Sequence, residues 1–153
     1  MSNTVTNEKA VEVLNDLLEK NYDAEVGYKE AAENAKSSAL TSFCRDYAGQ
    51  RYEFGHQIKS EIRQLGGDPE KGTSVLSGVH RTWMNVKQAL SSNKDETVVE
   101  ECIRGEKNAV EEYQEALSSS ELPATTREII SQQQQKIQTA LNQLQQIEGQ
   151  LHA

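Results

Sequence analysis

Glu106 is the residue whose type and position point most directly to chemistry. The segment around it, residues 99–117, repeats apolar side chains at spacings of three and four, which predicts an amphipathic helix. Glu106 lies in the middle of that apolar stripe, where an apolar residue is expected. A carboxylate buried there must be paired, hydrogen-bonded or bound to a cation. Glu106 is therefore the first candidate for a functional or structural polar centre.

The same anomaly recurs in three other stripes of helical spacing. The interrupting residues are Asn21 and Glu25 in residues 11–32, Gln50 in residues 40–65, and Gln133 in residues 130–151. One polar residue from each helix therefore predicts a polar layer across the middle of a four-helix bundle, formed by Asn21, Gln50, Glu106 and Gln133. Two interpretations stay open at this point. The layer is either a set of hydrogen bonds that fixes helix register, with Glu106 accepting from amides, or a metal or small-ligand site.

The length and composition of the chain favour one helical domain. It has 153 residues, 26% of them charged, and only 2 prolines. We predict a single domain over residues 1–153. Its helices are expected at about residues 6–36, 39–65, 74–91, 95–118 and 123–149, with the third of these in a crossover between two helical hairpins. This order gives an all-α, up-down bundle.

The charge and hydropathy of the chain exclude several partner classes. The net charge is −8 without a basic cluster, which argues against nucleic-acid binding. There is no apolar run of about 20 residues and no signal pattern at the N-terminus, so we expect no membrane association and a cytoplasmic location. Cys44 and Cys102 fall beside apolar helical positions, and we predict buried free thiols.

A weak internal repeat relates the two halves of the chain. Asn21 and Tyr28 have the same spacing as Glu106 and Tyr113, and a second match relates the helices of Gln50 and Gln133. Both tyrosines are expected in the core, with their hydroxyl groups bonding across the bundle.

Three stretches carry a resemblance to a known family. They are Arg63–Glu70 with its Leu-Gly-Gly-Asp-Pro loop, Gly78–Met84 with its His-Arg-Thr-Trp sequence, and Arg104–Leu117. On these stretches the chain resembles a bacterial family of ferritin-like four-helix-bundle proteins of unknown function, within the superfamily of rubrerythrins and bacterioferritins. The resemblance covers nearly the whole chain. It implies a ferritin-like up-down bundle.

The resemblance also indicates what a metal site would need. Ferritin-like enzymes such as rubrerythrins oxidise iron and reduce oxygen or peroxide, using Glu and Glu-x-x-His ligands. Only Glu106 matches that pattern well, and neutral amides are poor iron ligands, so a full di-iron centre is not expected. The other candidate ligands for iron or another divalent metal are Glu25 and the pair Glu53 and His56. At about 100° per residue, that pair points away from the apolar stripe.

His80 and Trp83 share one face of the predicted crossover helix. In the functional interpretation they form a gate or ligand near the bundle core. In the structural one, Trp83 packs the crossover helix and His80 bonds a neighbouring backbone or carboxylate group.

The sequence favours a cytoplasmic ferritin-like bundle protein that is not an enzyme, with a degenerate polar layer in place of a full di-iron site. It would present a rigid surface to a protein partner or to a second copy as a homo-oligomer. A stress-related role is implied only by the resemblance. The alternative is an iron- or manganese-dependent oxidoreductase or an iron-handling protein.

Overall fold

The computed structural model describes residues 3–72, Trp83 and residues 95–151, with side chains from Asn7 onward. Most of these residues lie in four long helices. They are α1 (Asn3–Asn34), α2 (Ser38–Gln64), α3 (Asp95–Leu117) and α4 (Ala124–Leu151). The described ranges contain no strand, and the prediction of an all-α four-helix bundle is confirmed. The predicted crossover helix at 74–91 lies outside the described residues, apart from Trp83.

The helices form two hairpins, α1 with α2 and α3 with α4, and the hairpins pack through α1 against α3 and α2 against α4. Asp95 sets where the second hairpin begins. Its carboxylate accepts hydrogen bonds from the backbone N–H groups of Lys36 (2.7 Å) and Ser37 (2.9 Å) in the α1–α2 turn. α2 and α3 therefore start at the same end of the bundle and run in the same direction.

Local sequence explains both ends of α2. The Ser37 side chain caps its first turn by accepting a hydrogen bond from the Leu40 N–H at 3.0 Å. At the other end Gly66 has φ of 85°, and the N–H of Gly67 bonds to the carbonyl of Ile62 at 3.0 Å. A positive φ is easily adopted only by glycine, so the Gly-Gly pair stops the helix there.

The apolar core has two parts. One lies toward the α1–α2 turn and includes Leu40, Cys44 and Leu144, and the other lies toward the α3–α4 turn and includes Leu14 and Ile58. Between them, buried polar side chains cross the bundle. Cys44 and Cys102 are free and buried, as predicted. None of the described helices is both long and apolar enough to cross a membrane.

Candidate functional site: a buried polar layer

Six buried polar side chains form a continuous hydrogen-bonded layer that all four helices supply. They are Asn21 and Tyr28 on α1, Arg51 on α2, Glu106 and Tyr113 on α3, and Gln133 on α4. Each is at most 2% exposed. We call this set the polar layer.

The centre of the polar layer is an ion pair between Arg51 and Glu106. Arg51 Nη2 donates to Glu106 Oε1, and both side chains are fully buried. The second carboxylate oxygen accepts from the Tyr28 hydroxyl at 2.7 Å. Both oxygens of the carboxylate therefore have a donor, which a buried charge requires. Glu106 bonds to a guanidinium and a phenol, not to the amides that the sequence suggested.

The other half of the polar layer is uncharged. Arg51 Nη1 donates to Asn21 Oδ1 at 2.9 Å, and the Asn21 amide donates to the Tyr113 hydroxyl at 2.9 Å. Tyr113 donates in turn to Gln133 Oε1 at 2.7 Å. The Gln133 amide then donates to Gln57 Oε1 at 2.8 Å, so the chain of bonds ends at the surface.

The internal repeat predicted from the sequence has a physical counterpart in this layer. Asn21 and Tyr28 are seven residues apart on α1, and Glu106 and Tyr113 are seven apart on α3. Tyr28 bonds to Glu106, whereas Asn21 bonds to Tyr113. The tyrosine of each helix therefore meets the interrupting residue of the other, which requires α1 and α3 to run antiparallel.

Burial controls the ionisation of the layer. It raises the pKa of the Glu106 carboxyl, and the positive charge of Arg51 acts against that rise. Burial alone would lower the pKa of Arg51, but the neighbouring carboxylate outweighs it and the pKa is raised. Burial also raises the pKa of Tyr113 to about 12, and it raises the pKa of Tyr28 well above its usual value. Both phenols therefore stay protonated and act as donors.

The structure separates the predicted metal ligands. Glu106 is fully buried against Arg51, whereas Glu25 is partly exposed and pairs with Lys29 at 2.7 Å. Glu53 and His56 are exposed, and His56 Nε2 contacts the Tyr52 hydroxyl at 3.0 Å. Within the described part of the chain, no group of three or more His, Cys, Asp and Glu side chains is placed to hold a metal ion. His80 lies outside that part.

In α2 the structure places Arg51, and not Gln50, in the polar layer. The buried residues of this helix include Cys44, Ala48, Arg51 and Ile58, which puts the centre of the stripe one residue later than predicted. Gln50 is half-buried at its edge, and its Oε1 has no hydrogen-bond partner among the described residues. The signal available in the sequence was Glu106 itself, because a buried carboxylate needs a positively charged partner, but the sequence did not indicate which basic residue that partner is.

The polar layer does not fit a di-iron centre. It contains one carboxylate, and that carboxylate already binds a guanidinium. Asn21 and Gln133 are neutral amides, which hold iron poorly. Arg51 Nε is buried without a partner in the described part, and it is an N–H donor, which cannot ligate a cation. The donor set therefore suits a protein-supplied cation and not a metal.

Comparison with known families places the chain. Residues 9–119 match a family described as a domain of unknown function (DUF2383). The matched stretch is well over half of the chain and contains Asn21, Arg51 and Glu106. The chain belongs to this family. No curated protein matches it.

Solved structures with similar folds are ferritin-like proteins. A dodecameric thioferritin from Bacteroides fragilis, described as bacterioferritin-related, has a TM-score of 0.76 at 14% identity, covering 95% of this chain and 88% of that one. A mutant of Mycobacterium smegmatis Dps1 has a TM-score of 0.81 at 10% identity, covering 94% and 97%. Dps92 from Deinococcus radiodurans gives 0.75 at 11%, covering 92% and 86%. At these identities the likeness establishes the ferritin-like fold of this DUF2383 protein, and the fold alone.

Trp83 closes the groove between α1 and α3 beside the polar layer. Its indole is 2% exposed, and its ring centroid lies 4.6 Å from that of Tyr28. Two glycines make room for it: a Cβ on Gly27 would lie 2.7 Å from Trp83 Cε3, and a Cβ on Gly105 would overlap the same ring. The backbone N–H of Trp83 also donates to Oδ2 of the buried Asp23 carboxylate at 3.1 Å. This contact fits the structural interpretation of Trp83.

Tyr113→Phe tests whether the uncharged half of the polar layer stabilises this DUF2383 protein. Removing the hydroxyl takes the acceptor from Asn21 and the donor from Gln133, so we expect a loss of about 1–3 kcal/mol in the free energy of unfolding. Urea unfolding followed by circular dichroism measures it. Tyr47→Phe is the matched control, because the Tyr47 hydroxyl bonds to Gln143 at an exposed position. Equal losses in the two variants would contradict the prediction.

Proposed function

We propose that this protein is a non-catalytic, cytoplasmic ferritin-like bundle whose polar layer has a structural role. It works by presenting a rigid surface to a protein partner or to a second copy of itself. The observation that carries the proposal is the Arg51–Glu106 ion pair in the middle of the bundle. The carboxylate best suited to bind a metal is already neutralised from within the protein.

Electrostatics supports this assignment. A divalent cation near Glu106 would also lie near the Arg51 guanidinium, which stays charged at any accessible pH. Two unit charges about 4 Å apart repel by about 4 kcal/mol at an effective dielectric constant near 20, and a divalent ion doubles that. The protons of the two tyrosine hydroxyls are also retained, because burial raises the pKa of both. The layer therefore offers a metal ion no unpaired carboxylate, and neither of its tyrosines loses its proton near neutral pH.

The relatives in fold support the part of the proposal that concerns self-association. One of them, the thioferritin from Bacteroides fragilis, is described as dodecameric. The free, buried thiols of Cys44 and Cys102 are consistent with a reducing compartment such as the cytoplasm. A stress-related role follows from analogy of fold alone.

The alternative function is iron handling or metal-dependent oxidoreduction. It is favoured by one observation, the bacterioferritin-related description of a protein with the same fold. In this chain it would depend on Glu106, with Glu25 or the Glu53–His56 pair as further ligands. These side chains lie in different surroundings: Glu106 is fully buried, Glu25 is partly buried, and Glu53 and His56 are exposed.

A metal-loading experiment separates the two functions. The wild-type protein is incubated with Fe²⁺ without oxygen, desalted and measured by elemental analysis, beside Glu106→Gln and Glu53→Gln. Both substitutions remove one carboxylate, but Glu53 is exposed and Glu106 is buried. We expect the same low iron content, far below one ion per chain, in all three proteins. Near-stoichiometric iron in the wild type and Glu53→Gln, but not in Glu106→Gln, would support the alternative.

A further inference from the structure

The thiols of Cys44 and Cys102 meet in the part of the core that lies toward the α1–α2 turn. Cys44 is on α2 and Cys102 is on α3, and each is at most 1% exposed. The two thiols are in hydrogen-bond contact, and this contact together with burial raises the pKa of the Cys102 thiol well above its usual value. They are also the only two cysteines of the chain. All the cysteine sulfur of the protein is therefore gathered at one buried point.

The register of the helices places the two cysteines at the same depth in the bundle. The Asp95 carboxylate accepts from the Ser37 N–H at 2.9 Å, so the beginnings of α2 and α3 are level. Cys44 lies seven residues after Ser37, and Cys102 lies seven residues after Asp95. At about 1.5 Å per residue, both lie about 10 Å from that end of the bundle. The contact between the thiols therefore follows from two rigid helices and not from a loop.

The two cysteines belong to helices at opposite corners of the bundle. The packed pairs are α1 with α2, α3 with α4, α1 with α3 and α2 with α4. Packed helices have axes about 8–10 Å apart, so the axes of α2 and α3 are about 11–14 Å apart. Since Cα atoms lie about 2.3 Å from the helix axis, the Cα atoms of the two cysteines are about 7–9 Å apart. A disulfide usually requires about 4.4–6.8 Å. The bundle thus brings the thiols together but keeps the two backbones apart.

A metal ion fits this separation better than a covalent bond does. Metal–sulfur bonds of about 2.3 Å hold two sulfurs about 4.6 Å apart across an ion, whereas the sulfurs of a disulfide are about 2.0 Å apart. Among the described residues, no group of three or more His, Cys, Asp and Glu side chains surrounds one point, so the thiols form a pair of donors. Structural zinc uses four ligands and iron–sulfur clusters use four cysteines. The soft monovalent ion Cu(I) is stable between two thiolates.

We propose that Cys44 and Cys102 form a two-coordinate site for a soft monovalent metal ion, Cu(I), between the two hairpins. Binding exchanges protons for metal: one Cu(I) ion and two thiols give a bis-thiolate complex with a single negative charge, and two protons pass to solvent. No electron is transferred. The carboxylate of Glu106 lies one turn further along α3, and its ion pair with Arg51 neutralises that charge. The site is separate from the polar layer and goes beyond the function proposed above.

Competition for Cu(I) tests the site on the whole protein. The protein is titrated without oxygen against Cu(I) held by bathocuproine disulfonate, whose colour reports the ion that it keeps. The wild type should take one Cu(I) per chain, and Cys44→Ala and Cys102→Ala should each bind it at least about tenfold more weakly, because two-coordinate binding needs both thiolates. The matched control is His56→Asn, which removes an exposed imidazole that also suits copper. It should bind like the wild type.

Urea unfolding of each protein with and without Cu(I) gives a second measurement. A ligand that binds the folded site raises the unfolding midpoint, so Cu(I) should raise it in the wild type and in His56→Asn. It should leave Cys44→Ala and Cys102→Ala unchanged. Each variant is compared with itself, so a loss of stability caused by the substitution does not enter the result.

Three results would overturn the proposal. The first is a wild type that takes no Cu(I) from the chelator, and the second is Cu(I) binding that both alanine variants retain. The third needs no variant: X-ray absorption of the copper-loaded wild type should show two sulfur ligands, and nitrogen or oxygen ligands in their place would contradict the site. None of these results depends on Fe²⁺ or on Glu106, so the outcome of the iron-loading experiment stands separately.

Discussion

Glu106→Leu should lower the free energy of unfolding by about 3–5 kcal/mol, the largest change we expect from one substitution in the polar layer. It leaves the buried Arg51 guanidinium without its counter-ion and the Tyr28 hydroxyl without its acceptor. Arginine cannot become neutral by losing a proton, so the uncompensated charge remains at every pH. Urea unfolding of the wild type and the variant, followed by circular dichroism, measures the loss.

The complete double-mutant cycle measures the interaction energy between Arg51 and Glu106 separately from the effect of each single substitution. Arg51→Met should also destabilise, but Arg51→Met with Glu106→Leu should recover most of the loss, because an apolar pair carries no buried charge. If the two single losses simply added in the double variant, Arg51 and Glu106 would not be interacting through an ion pair. Lys29→Met is a control for an exposed ion pair, whose removal should cost less than about 1 kcal/mol.

The free energy of unfolding of the Arg51→Met variant should depend on pH in the acid range because of the Glu106 carboxyl. Burial already raises the pKa of Glu106 above 4.5, and removing the guanidinium removes the effect that opposes this rise. The folded variant then binds a proton at pH values where the unfolded chain has released it. The contribution of this carboxyl to the free energy of unfolding should be greatest below about pH 4.5 and should be lost as pH rises through the folded pKa. The double variant lacks this carboxyl and should lack that part of the pH dependence.

Trp83→Ala should lower the free energy of unfolding by about 3–5 kcal/mol, because it empties the groove that the indole fills between Gly27 and Gly105. Far-ultraviolet circular dichroism is the suitable readout, since Trp83 is the only tryptophan of the chain. Tyr52→Ala removes a 49% exposed ring and should change stability by less than about 0.5 kcal/mol. A similar loss in the two variants would mean that the indole does not close the groove.

A second substitution at Gly105 sharpens the Trp83 test. In the wild type, Gly105→Ala should destabilise, because its Cβ would overlap the indole. In the Trp83→Ala background the overlap is gone, and alanine is the better helix former by about 0.5–1 kcal/mol. The sign of the Gly105→Ala effect should therefore reverse between the two backgrounds. The same sign in both would contradict the packing of Trp83 on Gly105.

The fold was predictable from the sequence because it depends on patterns that repeat over many residues. Apolar stripes at spacings of three and four, and the Gly66–Gly67 break, indicate where long helices run and stop. Asn21, Glu106 and Gln133 stood out in those stripes as polar residues away from the helix ends. The structure brings these three into the polar layer.

The exact partners were not predictable because they depend on helix rotation. One residue changes the direction of a helical side chain by about 100°, which is enough to exchange half-buried Gln50 for buried Arg51. Arginine is also rarely buried in proteins, so its residue type argued against placing Arg51 in the core. On α1, Glu25 pairs with Lys29, while Asp23 is buried and meets Trp83. That contact comes from a distant part of the chain, which local periodicity cannot place.

The seven-residue spacing within α1 and α3 gives the polar layer a role in selecting among alternative folds. If α3 slid along α1 by seven residues, the apolar stripes would still overlap, so hydrophobic burial alone hardly distinguishes the two arrangements. The slip would set Asn21 against Glu106 and both tyrosine hydroxyl groups against aliphatic side chains. Each buried polar group left without a hydrogen-bond partner would then raise the free energy of the slipped arrangement. The polar layer thus increases the free-energy difference between the native bundle and misfolded bundles with a shifted helix.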